Sequence, residues 1–283
     1  MLPSIPQARH FRLLYGGYII AFFIYLAAPL VVVSLFAFND SLFPSLPWQG
    51  FTLDWYFAES GSKVGIFFDR ELFNSIGLSL LIAALTTICA TALACTNAFL
   101  FERYDFPGKS FLYILMLMPL VIPGVILGVS ILIFSSEIAN YFDDYWSLDP
   151  EFLRPSITLI VIGQFAFITT ICTLIIAARL RKFDRSLEEA ALNLGATPLL
   201  AVWTITLPFL KPAIIGAAIV SFLMSFENFN TTLMLVGSDA PLTIAMFERL
   251  REGSTPVLNA ISVLLMLGSG LLAVVSLLVQ KNK

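Results

Sequence analysis

The chain has 283 residues, 58% of them hydrophobic and 12% charged, with a formal net charge of −3. A soluble domain carries about twice that charged fraction, so most of this chain belongs in lipid. A lone histidine, His10, leaves no basis for a catalytic His or a His metal site, and Cys89, Cys95 and Cys172 lie inside apolar runs, where they read as small buried hydrophobes.

Six apolar runs are long enough to cross a bilayer core, which takes about 20 residues each. They are residues 15–38, 74–100, 111–134, 157–178, 212–236 and 257–279, and together they predict a single all-α membrane domain over residues 1–283. The first run is followed by no A-x-A-like cleavage site, so it reads as a span and not as a leader. Six spans put both termini on one side. The N-terminus, the loops after spans two and four, and the C-terminus hold eleven Lys and Arg; the opposite loops hold five. The positive-inside bias therefore predicts cytoplasmic termini. The outer loops carry thirteen acidic residues, which attract cations or a basic partner patch, unless they merely reflect the shortage of bases there.

In the first outer loop, Trp55 and Tyr56 read as interfacial anchors. Trp48, in the proline-flanked turn LPWQGF, can fold back over the mouth of a pathway. The third run contains Pro119, Pro123, Gly124 and Gly128. It is predicted to be a kinked helix whose glycines form a small-xxx-small contact face. No internal repeat is evident, which argues against an inverted-repeat secondary transporter.

Residues 182–211 form the one long segment polar enough to leave the membrane. Ser186 and Glu189 have capping-box spacing, and Leu187, Ala190, Ala191 and Leu194 recur at helical spacing. Gly195 suits a left-handed C-terminal position. Thr197-Pro198 reads as an N-cap followed by proline at the first helical position, opening a second short helix that is expected to end near Pro208. These signals fit two uses: a knob that passes force to a partner, or an amphipathic helix lying on the lipid surface.

The fifth run contains Ser225-Phe226-Glu227-Asn228-Phe229. A carboxylate at mid-membrane costs several kcal/mol unless it is paired or faces a polar cavity. Glu227 therefore lines a pathway, or is protonated and hydrogen-bonded to Asn228, or pairs with another subunit. Phe226 and Phe229 beside it would suit an organic ammonium by cation–π attraction, or else pack against core or lipid. No G-x-x-x-x-G-K-[ST] loop is present, so the chain does not hydrolyse ATP by that route. The runs hold no aspartate dyad for intramembrane catalysis, and no nucleic-acid partner is expected.

Glu189-Ala190-Ala191, then Gly195, then Ile205-Thr206-Leu207-Pro208 resembles the EAA motif of ABC-importer permeases. The likeness runs along nearly the whole chain to the second permease subunit of spermidine/putrescine-type importers. It is carried by Trp48-Gln49-Gly50-Phe51-Thr52, Trp55-Tyr56, Arg103-Tyr104, Gly108-Lys109, Leu192–Ala196 and Pro241-Leu242. That family often has two aspartates where this chain has Glu227-Asn228, which leaves the substrate open among polyamines and other amine-bearing solutes. The resemblance implies a MetI-like type I importer fold in a bacterial inner membrane, with a cytoplasmic coupling helix. It implies a homologous second permease, two ATP-binding subunits that hold ATP and Mg, a periplasmic solute-binding protein, and no cofactor on this chain. It assigns docking to Glu189, Ala190, Ala191, Gly195, Ile205, Leu207 and Pro208. The pathway is expected around Glu227, Asn228, Phe226, Phe229 and Trp48.

Overall fold

The computed structural model describes residues 9–281 except Ser62 and Ser254, with side chains described for residues 10–274. Apolar runs become helices because lipid leaves backbone groups no partner except each other. Among the described residues six helices are long and apolar enough to span a membrane: His10–Phe36, Arg70–Arg103, Gly124–Trp146, Ile157–Leu180, Pro198–Phe226 and Pro256–Val274. The chain divides into two compact units, Met1–Arg70 with Arg249–Leu267, and Glu71–Glu248 with Gly268–Lys283.

In the first unit, α1 (Arg9–Phe36) leads into a loop organised around Asn39. Asn39 is fully buried; its Oδ1 accepts from Gln49 N–H at 2.9 Å, and its carbonyl accepts from Trp55 Nε1 at 2.8 Å. Trp55 and Tyr56 lie on the short helix α2 (Asp54–Phe57) and are buried inside this loop, so they are not interfacial anchors. The Trp55 bond to Asn39 and a ring contact of 5.4 Å between Tyr56 and Phe38 hold them there. Arg249 grips Asp69 through both guanidinium nitrogens at 2.5 and 3.0 Å.

The second unit takes most of α3 (Arg70–Arg103), then α4 (Lys109–Val121) and α5 (Gly124–Trp146). The expected kinked third span is thus two helices. Pro123 lacks an N–H and disfavours a helical residue before it, so the chain breaks at Ile122, whose backbone is extended. Helix α6 (Ile157–Leu180) is the central one. Ile168, Cys172 and Ile176 meet a stripe of fully buried alanines on α3, Ala90, Ala94 and Ala98. Small side chains let the backbones approach, and close packing, more than apolar burial, holds helices together in lipid.

The polar segment forms α7 (Ser186–Asn193), α8 (Pro198–Ala201), a π-helical turn over Val202–Thr206, and α9 (Leu207–Phe226). Pro208 does not end the second helix. The wider turn bonds Leu207 N–H to the Val202 carbonyl, five residues back, which places Pro208 at the start of a fresh helix where its missing N–H costs nothing. Pro198–Phe226 is therefore one apolar rod of 29 residues, about 43 Å long at 1.5 Å per residue. Then come α10 (Thr232–Leu235), α11 (Leu242–Glu252) and α12 (Pro256–Lys281). Helix α10 wedges against α5 and α6 at Gly128 and Gly163: a Cβ on Gly128 would stand 2.9 Å from that of Met234.

Candidate functional site

The knob is built from the backbone outward. Asp184 accepts the Ser186 N–H at 3.0 Å, and no side chain of a Ser186–Glu189 capping box closes the turn. The chain already runs helically at Arg185, so the capping position moves upstream to Asp184, and this hydrogen bond holds the Asp184 carboxyl below its usual range. At the other end Ala196 N–H bonds the Ala191 carbonyl and Gly195 N–H bonds that of Leu192, both at 3.0 Å. This is a Schellman closure, and it requires the positive φ of +91° that Gly195 adopts. Thr197 Oγ1 then caps α8 by accepting Leu200 N–H at 3.3 Å.

Glu189, Ala190 and Gly195 are exposed, as is Pro208; Ala191, Ile205 and Leu207 are half-buried. Ile205 turns inward against the α3–α6–α9 core. Around the elbow stand uncovered apolar side chains, with Leu194 89%, Leu199 69% and Trp203 64% exposed. The motif therefore presents an outer face and an inner anchor.

The anchor includes a residue that sequence reasoning missed, Glu188. Its Oε1 accepts Arg103 Nη2 at 3.0 Å and also takes the Thr206 hydroxyl. Arg103 lies over the Phe183 ring at 5.3 Å, and Arg185 donates to the Glu102 carbonyl at 2.9 Å. One carboxylate thus ties α7 to α3 and to the π turn. The partners lie 85 and 18 residues away, so no local spacing pointed to them.

At the far end of the rod, the expected pathway residues separate. Glu227 is not inside a helix: it terminates α9, is exposed, and pairs with no other described residue. Asn228 is half-buried and structural, its Oδ1 accepting Thr232 N–H at 3.2 Å and Thr232 Oγ1 at 3.0 Å. Gln164 joins that network by donating to Thr232 Oγ1 at 2.9 Å and accepting the Ser225 hydroxyl. Phe226 stacks on Phe222 at 6.0 Å, and Phe229 meets Phe247 edge-on at 5.0 Å. Trp48 lies in the other unit and is 45% exposed.

Among the described residues, six membrane-length helices, an exposed helix–glycine–helix knob and a polar break at the end of the rod define a multi-pass membrane protein. Residues 93–282 match the family of binding-protein-dependent transport system inner membrane components. The chain is 31% identical over 256 residues, 90% of its length and 86% of the other's, to the putrescine transport system permease protein PotI of Escherichia coli. It is 26% identical over 273 residues, 96% of each, to the spermidine/putrescine transport system permease protein PotC of the same organism. In fold it matches a bacterial alginate ABC transporter crystallised with an alginate pentasaccharide-bound periplasmic protein, with a TM-score of 0.70 at 16% identity over 94% of this chain and 92% of that one. The chain belongs to the binding-protein-dependent inner-membrane transport family and is an ABC-importer permease subunit.

Proposed function

We propose that this permease carries polyamines or a related cationic amine inward, driven by ATP hydrolysed on partner subunits. The observation that carries the reading is the rod Pro198–Phe226: it begins in the exposed knob and ends at Glu227, which is exposed and pairs with no other described residue. Two relatives are named for putrescine or spermidine transport. A carboxylate flanked by Phe226 and Phe229 offers such a cation an ion pair and aromatic faces.

The basic side of the chain, with both termini and the knob, faces the cytoplasm. Two ATP-binding subunits with their ATP and Mg dock there, one of them on Glu189, Ala190, Ala191, Gly195 and the bare Leu194. A homologous second permease completes the pore, and a periplasmic binding protein delivers the solute. Glu227 lies about 24 Å along the rod from Lys211, towards the outer side of the bilayer core. Closure of the ATPase pair moves the knob, and the rod transmits that movement to the Glu227 end. ATP binding shifts the pore only in so far as the knob makes different contacts in the two states.

The reading is tested in cells stripped of their own polyamine importers and supplied with this chain and its partner subunits. They should accumulate radiolabelled putrescine. Wild-type cells that accumulate other solutes but no polyamine would overturn the substrate class.

A further inference from the structure

A cavity of about 400 Å³ lies at the knob end of the second unit, where α3 ends, α4 begins and α6 ends. It has two kinds of wall. Lys109, Ser110 and Arg181 line one side together with Glu102. Phe101, Tyr113 and Ile114 line the other, and the Phe101 and Tyr113 rings meet edge-on at 5.3 Å. Ile114 is exposed and stands five residues beyond Lys109 along α4, a rise of about 7.5 Å. Helix α4 has no buried residue, and Phe111, Leu115 and Met118 are exposed with Ile114. A charged rim is thus joined to an uncovered apolar helix.

The two cations of the rim are not used up by their carboxylates. Arg181 donates Nε to Glu102 at 2.7 Å and keeps N–H groups on both terminal nitrogens. Lys109 gives one of its three donors to Asp105 at 2.8 Å, and the Asp105 side chain is 99% exposed, so water screens that pair. Arg185, which donates to the Glu102 carbonyl, adds a third positive charge beside the rim. Helix α4 also opens here with Gly108 as its N-cap and no side chain closing the turn. The N–H groups of Ser110 and Phe111 have no acceptor among the described residues. Cations beside open first-turn amides favour an anion. The apolar wall directly beyond them favours an anion that carries hydrocarbon.

We infer that this cavity holds the phosphate of an anionic phospholipid between Lys109 and Arg181, with the lipid's chains lying along α4 past Ile114. Basic pockets between membrane helices at the cytoplasmic boundary recognise such headgroups in general. The site goes beyond the transport reading and stands whichever solute the permease carries. Only the choice of leaflet, the cytoplasmic one, rests on the orientation given above.

The test uses the assembled transporter in phosphatidylcholine nanodiscs that hold a trace of phosphatidylglycerol with a diazirine near its headgroup. In wild type the label should fall on residues 101–114 and on Arg181, and unlabelled phosphatidylglycerol should displace it. Labels confined elsewhere overturn the inference, and so does absence of label because a partner subunit fills the cavity. Phosphatidylcholine with the same diazirine should not label these residues; equal labelling would make the contact an ordinary boundary lipid and refute the site. Inorganic phosphate should fail to displace the lipid, and displacement by it would overturn the assignment to a lipid. Combined Lys109→Gln and Arg181→Gln should weaken labelling about 30-fold, a factor of about five for each lost charge. Lys109→Arg with Arg181→Lys should keep most of it. Unchanged labelling in the first pair, or equal loss in both pairs, refutes recognition by charge. Wild-type labelling needs no variant to fold, and polyamine uptake is scored separately, so failure of the lipid site leaves the transport reading untouched.

Discussion

Replacing Glu188 by alanine should loosen the knob while leaving the membrane helices in place. The Glu188 and Arg103 side chains are 20% and 13% exposed, so their pair lies between the surface and buried limits. Surface pairs contribute about 0–1 kcal/mol, and breaking a buried pair costs about 3–5 kcal/mol. The Thr206 hydroxyl adds a hydrogen bond to a charged group. A loss of about 2 kcal/mol follows, which is a roughly 30-fold rise in local opening. Hydrogen exchange of the assembled complex in nanodiscs reads this directly: amides of residues 186–196 should exchange about 30-fold faster in Glu188→Ala, and those of α6 should not change. ATP hydrolysis should continue with fewer molecules transported per ATP. Arg103→Gln should have a similar effect, and combining it with Glu188→Gln should cost less than the sum of the two. Additive effects, or unchanged exchange in the knob, would refute the brace.

At Gly195 an added Cβ meets nothing within 4 Å, so Gly195→Ala is opposed only by the φ of +91°, at about 1–2 kcal/mol. It should reduce uptake more than ATP hydrolysis, with Gly195→Pro and Glu189→Lys more severe; normal uptake in all three would remove the docking assignment. Asp184 has a depressed folded pKa, so its contribution to α7 is present above its unfolded pKa and lost as pH falls through the folded value. Protection of the Ser186 amide, measured against its intrinsic exchange rate at each pH, should fall on acidification in wild type and be low at all pH values in Asp184→Ala. Gly128→Ala should push α10 from α5 and lower the melting temperature of the complex, because the Met234 Cβ and the Thr231 carbonyl stand 2.9 and 3.1 Å from the new atom; an unchanged melting temperature would contradict that packing. Glu227→Gln should weaken putrescine uptake without abolishing ATP hydrolysis, and unchanged uptake would make Glu227 structural.

The membrane helices were legible because a length of about 20 apolar residues is a long, redundant signal. The knob's elbow was legible because Gly195 and Thr197-Pro198 act through their own backbone. What failed had non-local or compensated causes. Pro208 looked like a helix end, but a π turn five residues long absorbs it. Hydropathy ran the fifth span on to residue 236, past the real end of α9 at Phe226, because the break at 227–231 is flanked by apolar residues. Trp55 and Tyr56 looked like anchors until Asn39 and Phe38 drew them inside the loop. Asn228 was legible as a polar residue in an apolar run, but its role in capping α10 depends on Thr232 and the chain's turn between them.

The central claim is that ATP on partner subunits, acting through the knob and the rod, moves a polyamine past Glu227. Proteoliposomes holding the complete transporter and its binding protein, with an ionophore cocktail present, test it most directly. Putrescine uptake should require ATP and survive collapse of every ion gradient. Uptake that proceeds without ATP and stops when the gradients are collapsed would contradict it.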